Sequence, residues 1–323
     1  MWYWCLMSLK RSASLFGISV LALGALLTGC REDRPPEVCT SVEPKSTQVD
    51  TGRLTLHTVS QGCGKSVVFL HGFPAFSFTW EPIQSRLASE FRTLAPDQRG
   101  YAPSPVPEGV SQYALPLLVE DAVGFLRAVD DEPVVLVTHD WGSAVGWIAA
   151  SQHPELVRGL VVMNGPHPDT FAREVSRNED QRRAAQYMNF FISPTAEATL
   201  TANNSEALAR IVRPYVTPEL EQRYREAWAA PGTVTGGLNW YRANVVQGPD
   251  VGPTFPTNVT VSMPVLVFWG MKDEALLPGN LEGLENYAPQ LTVRKLPNAT
   301  HWPMYEEADL IAEEIRAFIK GLP

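Results

Sequence analysis

Val134-Val-Leu-Val-Thr-His-Asp-Trp-Gly-Ser-Ala-Val-Gly-Trp147 is the stretch whose reading decides the fold. Residues 134–137 are branched and apolar, as in a strand buried on both faces of a parallel sheet. The chain then turns sharply through Thr138-His-Asp-Trp-Gly142. From Ser143 to Ala150 small and apolar residues predict a helix, with Gly146 as the only breaker. Strand, tight turn and helix form the layout of a nucleophile elbow. Such elbows usually centre on serine; this one centres on Asp140. A serine would point to esters and amides. A carboxylate points to attack on an alkyl carbon, with a covalent ester left on the protein.

Either side of the elbow, short apolar runs alternate with segments of helical spacing. Strands are predicted at 54–59, 66–70, 91–95 and 160–164, and again at 265–269 and 291–296. Helices are predicted at 80–88, 112–129 and 309–320. This alternation implies an α/β fold, with a mostly parallel central sheet and helices on both faces. Between residues 167 and 258 the rhythm stops. That stretch has no buried-strand run. It carries helical segments at 181–191, 205–213 and 218–229 and many aromatic residues, and reads as a helical cap inserted after the strand at 160–164. The core is therefore expected over 51–166 and 259–323.

Ligands of open α/β sheets bind at the carboxyl ends of the strands. Three polar residues stand just past such ends: Asp140, Asp273 after the strand 265–269, and His301 after the last strand. An elbow carboxylate can attack carbon, a histidine can activate the water that cleaves the resulting ester, and a second carboxylate can orient that histidine. His71-Gly-Phe-Pro74 adds a turn at another strand end. The backbone N–H groups of Phe73 and Trp141 are the natural donors for an oxyanion hole.

Taken together, the motifs His71-Gly-Phe-Pro74, Asp97-Gln-Arg-Gly100, His139-Asp-Trp-Gly142, Pro166-His-Pro168, Trp269-Gly-Met-Lys-Asp273 and His301-Trp302 resemble those of the α/β-hydrolase fold, in its epoxide hydrolase branch. The haloalkane dehalogenases stand beside that branch and share its Asp nucleophile. The resemblance implies that Asp140, His301 and Asp273 are catalytic and that Phe73 and Trp141 form the oxyanion hole. It also implies two cap tyrosines that protonate the epoxide oxygen. Leu238-Asn-Trp-Tyr-Arg242 matches the second-tyrosine motif and supplies Tyr241. Tyr187-Met-Asn-Phe-Phe-Ile-Ser-Pro194 matches the first more loosely and supplies Tyr187. The implied reaction is hydrolysis of an apolar epoxide to a vicinal diol, without a cofactor. Phe73 stands where many dehalogenases carry an Asn that holds the halide. Thr138 stands where the elbow usually has Gly, and its β-branch is expected to tilt the turn. Phe76, Trp80, Trp240 and Trp302 are expected to line the substrate pocket. Two other readings stay open: a haloalkane or haloacid dehalogenase, and a binding protein that keeps the fold without the activity.

The chain has 323 residues and a net charge of −9, with 45% hydrophobic and 19% charged residues, as expected for a globular protein with a sizeable core. No Lys/Arg-rich block suggests nucleic acid as a partner. No spaced Cys/His cluster or Gly-rich phosphate loop suggests a metal or nucleotide. At the N-terminus, Lys10 and Arg11 precede an apolar run at 15–27, which is short for a membrane span. Leu27-Thr-Gly-Cys30 then resembles a bacterial lipobox, with an ordinary secretory signal or an uncleaved anchor as the alternatives. The expectation is a lipoprotein signal over 1–29, lipid on Cys30, a flexible tether over 30–50 and a place in the bacterial cell envelope. In an oxidising compartment Cys39 and Cys63 are candidates for a disulfide.

Overall fold

The computed structural model describes residues 42–249 and 251–323. The leader over 1–29, Cys30 and Cys39 lie outside these residues. The core strands are β1 (Lys45–Asp50), β2 (Thr55–Gln61), β3 (Ser66–Leu70), β4 (Arg92–Pro96), β5 (Val134–His139) and β6 (Val157–Met163). A two-residue pair in the cap, β7 (Val245–Val246) and β8 (Gly252–Pro253), precedes β9 (Val265–Gly270) and β10 (Leu291–Leu296). The main sheet has eight strands in the order β1-β2-β4-β3-β5-β6-β9-β10. From β4 to β10 every pairing is parallel, while β2 joins β1 and β4 antiparallel. Every residue of β3, β5 and β9 is buried, which is why these strands read as apolar runs rather than alternating patterns.

Helices α1 (Glu81–Leu87), α2 (Leu115–Val129) and α3 (Trp141–Gln152) fill the crossovers of the first half. The cap follows, with α4 (Pro168–Arg177), α5 (Glu179–Ala184), α6 (Tyr187–Phe191), α7 (Ala196–Val212), α8 (Pro218–Ala229) and α9 (Thr233–Asn244). The short α10 (Pro303–Glu306) and α11 (Ala308–Gly321) close the chain. Residues 141–150 of α3 are all buried, so this helix lies beneath other elements and shows no polar face.

Lys45–Asp50 corrects the expected tether over 30–50, because it pairs with β2 along its full length. As an edge strand it has no buried face, so its residues are polar apart from the half-buried Val49 and show no apolar period. Cys63, in the turn between β2 and β3, is disulfide-bonded. The two ends of the cap are stitched together where they leave the core. His167 Nε2 donates to the Val259 carbonyl at 2.8 Å, and the Asp169 carboxylate accepts from Asn258 N at 2.8 Å and Val259 N at 3.0 Å. Burial lowers the His167 pKa to about 4, so its imidazole is neutral at ordinary pH. Among the described residues no helix is long and apolar enough to cross a membrane.

Candidate active site

Chain order reverses between β4-β3 on one side and β5-β6 on the other, which opens a crevice past the carboxyl ends of β3 and β5. Asp140 follows β5 with φ 51° and ψ −125°, a conformation that L-residues rarely adopt and that costs about 1–3 kcal/mol. Gly72 makes room for it, since a Cβ there would sit 2.1 Å from Asp140 Oδ1. Thr138 is fully buried at the end of β5. Its Oγ1 donates to Val161 O at 3.1 Å and accepts from Ser143 Oγ at 3.0 Å, and its methyl lies over Gly146. The room usually provided by glycine at 138 is provided here by glycine on the helix.

The two oxygens of Asp140 have different surroundings. Oδ1 accepts the Phe73 N–H at 2.9 Å, and the carboxylate also accepts the Trp141 N–H. Oδ2 faces His301, with Nε2 at 3.8 Å. That gap is longer than a hydrogen bond and leaves a place for a third group between them. Burial raises the Asp140 pKa, opposed by His301 and the two backbone donors.

His301 Nδ1 donates to Asp273 Oδ2 at 2.8 Å. The ring is therefore fixed with Nε2 toward Asp140. His139 Nε2 donates to the His301 carbonyl at 2.8 Å and braces the loop from behind. Burial works against protonation of His301, but the Asp273 carboxylate, with Asp140 and Glu306, outweighs it and raises the pKa to about 8. Asp273 is 3% exposed and fully engaged: Oδ1 accepts from Ala275 N and Leu276 N, and Oδ2 also accepts from Asn164 Nδ2 at 2.8 Å. Burial pushes its carboxyl up, but His301 and these donors hold it below the usual value. Asn164, at φ 34° past β6, further accepts from Gly270 N at 2.8 Å. Its role was invisible in the sequence, where it looked only like the last residue of a strand; the positive φ and the partners 106 and 109 residues away appear only on folding.

Tyr187 and Tyr241 come from α6 and α9 and meet over Asp140, with ring centroids 6.3 Å apart and Phe191 packed against both. Burial, then the nearby Asp140, pushes both phenols well above their usual range, so they hold their protons until a strong base forms. The Trp141 indole packs edge-on against the Tyr241 ring, with centroids 5.2 Å apart. Helix α9 is absent from the sequence reading because Thr233-Val-Thr-Gly-Gly237 is a poor helix former. The glycines are needed for close approach: a Cβ on Gly236 would sit 2.3 Å from Gly100 O, on the rim loop after β4. This contact lets Tyr241 reach down toward Asp140. Arg99 holds the same loop through buried bonds to Asp121 at 2.5 and 2.8 Å, and Asp97 holds it by accepting from Ser77 N and His57 Nδ1, both at 2.7 Å.

A cavity of about 200 Å³ lies over these groups, walled by Phe73, Phe191, Ile211, Tyr187, Tyr241 and Trp302. A narrower apolar recess continues past Asp140 and Tyr187 between Phe171, Met188 and Phe255. Of the four residues expected to line the pocket, only Trp302 does so. Trp80 is buried in the core behind His139. Phe76 stacks on Phe78 beneath α8, and Trp240 turns its indole N–H to Arg99 O at 2.9 Å. These aromatics were indistinguishable in sequence, because which face of an element meets the cavity depends on the cap's docking. A groove of about 650 Å³ between α2, α3 and the end of α9 contains none of the groups around Asp140. Among the described residues no three His, Cys, Asp or Glu side chains group as metal ligands.

The profile of the alpha/beta hydrolase fold matches residues 65–308. The AB hydrolase superfamily protein YfhM of Bacillus subtilis is 33% identical over 282 residues, covering 84% of this chain and 97% of that protein. Epoxide hydrolase 3 of Mus musculus is 30% identical over 285 residues, covering 85% and 76%. Among solved structures, Bacillus megaterium epoxide hydrolase in complex with an inhibitor superposes with a TM-score of 0.79 at 33% identity, over 85% of this chain and 100% of that chain. With the parallel sheet, the cap and the elbow already in place, the chain belongs to the α/β-hydrolase fold family and is related within it to the epoxide hydrolases.

Proposed function

We propose that this chain hydrolyses an apolar epoxide to a vicinal diol through an ester on Asp140. One observation carries the reading. A buried elbow carboxylate lines a cavity walled by two phenols whose protons are held tightly. In the first step Oδ2 attacks an epoxide carbon and the ring C–O bond breaks. The oxygen takes a proton from Tyr187 or Tyr241, because an alkoxide is a poor leaving group without an acid. A departing halide needs no proton, whereas here two phenols that hold their protons stand over the nucleophile. That favours the epoxide reading over a dehalogenase.

In the second step His301 takes a proton from water, whose oxygen attacks the ester carbon. Negative charge develops on Oδ1, which the Phe73 N–H already holds, with the Trp141 N–H on the same carboxylate. The tetrahedral species expels the diol oxygen, which takes the proton back from His301. The second water proton leaves as Asp140 regains its carboxylate, and restores the tyrosine. The steps are timed by charge. The Asp140 carboxylate is one of the groups raising the His301 pKa, and esterification removes it. The imidazole then gives up its proton more readily at the step that needs a base.

Single turnover in labelled water tests the route. Label should enter Asp140 first, and the first diol should carry none; label going directly to the diol sinks the covalent mechanism. We also propose that lipid on Cys30 anchors the protein in the bacterial cell envelope. Cys30→Ser should release it from the membrane fraction, and retention there would overturn this part.

A further inference from the structure

Gln181 lies on α5, in the cap, and is 0% exposed. Its side-chain amide makes three hydrogen bonds, all to the core loop that follows β9. Nε2 donates to Ala275 O at 2.8 Å, and Oε1 accepts from Leu277 N and Asn280 Nδ2, both at 2.9 Å. The same loop grips Asp273 from its other side, where Ala275 N and Leu276 N donate to Oδ1 at 2.8 and 3.0 Å. Ala275 therefore has its N–H on the acid and its carbonyl on the cap. Ala275 and Leu276 also reach the cavity, beside Tyr187. Five residues separate Gln181 from Tyr187, so one short segment of cap contacts both halves of the site.

We infer that Gln181 is a positioning residue through which the cap sets the orientation of the Asp273–His301 pair. Water activation then depends on how α5 is seated, although α5 carries no group that touches substrate. A buried amide in three bonds holds a loop far more sharply than apolar packing does, because each lost bond leaves a buried partner unsatisfied. Oδ1 is fixed by this loop, so the direction of Oδ2 toward His301 Nδ1 follows from it. The loop has a second tether to the cap, from Arg173 Nη2 to Gly279 O at 2.8 Å. Loss of Gln181 should therefore misalign the loop rather than release it. The kinetic part of this inference rests on the epoxide reading of the site.

The test is Gln181→Leu, which removes the three bonds at similar volume, in the full chain. The first readout needs no substrate: the low-field NMR resonance of the His301 Nδ1 proton should shift or broaden. The second is a quenched single turnover of an aryl glycidyl ether followed by mass spectrometry. Hydrolysis of the ester should slow by up to about a hundredfold, the effect of misplacing a reacting group by about 1 Å, while ring opening changes far less. The trapped ester then accumulates. An unchanged Nδ1 proton in a folded variant overturns the inference, and so does equal slowing of both steps. If Gln181→Leu does not fold, Asn280→Ala, which removes one of the three bonds, must show the same Nδ1 change to a smaller degree, and its absence counts equally against the idea. If no epoxide alkylates the wild type, the epoxide reading fails, and the proton signal alone decides the role of Gln181.

Discussion

Replacing Gly236 by alanine adds one methyl group where α9 meets the rim loop. That carbon would stand 2.3 Å from Gly100 O and 2.7 Å from its Cα, whereas ordinary contact begins at 3.4 Å. Neither obstacle is a flexible side chain, so helix and loop must part by about 1 Å, the size of displacement that costs on the order of a hundredfold in rate. Tyr241 is five residues further along α9 and moves with it. In stability, overpacking costs about 1–3 kcal/mol. Alanine in a helix returns up to about 1 kcal/mol relative to glycine. The net loss is small against a typical stability of about 5–15 kcal/mol, so the variant folds. Ring opening, which relies on the paired phenols of Tyr187 and Tyr241 being aligned over Asp140, should slow by about a hundredfold, or about 2.7 kcal/mol of barrier. Ester hydrolysis, which uses His301 and the N–H groups of Phe73 and Trp141, should change much less. Rapid quench with mass spectrometry separates the two steps. Gly321→Ala meets nothing within 4 Å and serves as the control. A folded Gly236→Ala protein that opens the ring at the wild-type rate would refute the argument that this contact places Tyr241.

Two further outcomes follow from the geometry. The His301 imidazole should titrate near 8 in the free protein and lower in Asp140→Asn, because the carboxylate that helps hold its proton has lost its charge; NMR titration reads this, and an equal or higher value contradicts the timing by charge. Gly146→Ala should destabilise by about 1–3 kcal/mol through overpacking, since its Cβ would lie 2.6 Å from Thr138 Cγ2. Thr138→Ser, which removes that methyl and keeps the hydroxyl bonds, should recover most of the loss. Denaturant unfolding of both single variants and the double variant gives the coupling, and additive effects would show that the two residues do not compensate each other.

Sequence reading succeeded where local chain grammar carries the information. Buried parallel strands appear as apolar runs, and residues just past their ends fall on one rim whatever the rest of the chain does. Asp140, Asp273 and His301 could therefore be proposed as neighbours although 160 residues separate the first from the last. β1 escaped because an edge strand without a buried face carries no period. α9 escaped because close backbone approach needed the glycines that weaken a helix.

By itself, then, the sequence determined the fold class, the carboxylate at the elbow and the order of the three polar residues along the rim, since these depend on neighbours in the chain. Tertiary structure alone decided which aromatics face the cavity, that Oδ1 rather than Oδ2 is held by the Phe73 N–H, that Asn164 bonds Asp273, and that Gln181 bonds the loop after β9. These depend on side-chain direction and on the docking of cap against core, where partners lie roughly a hundred residues apart and no local propensity specifies them.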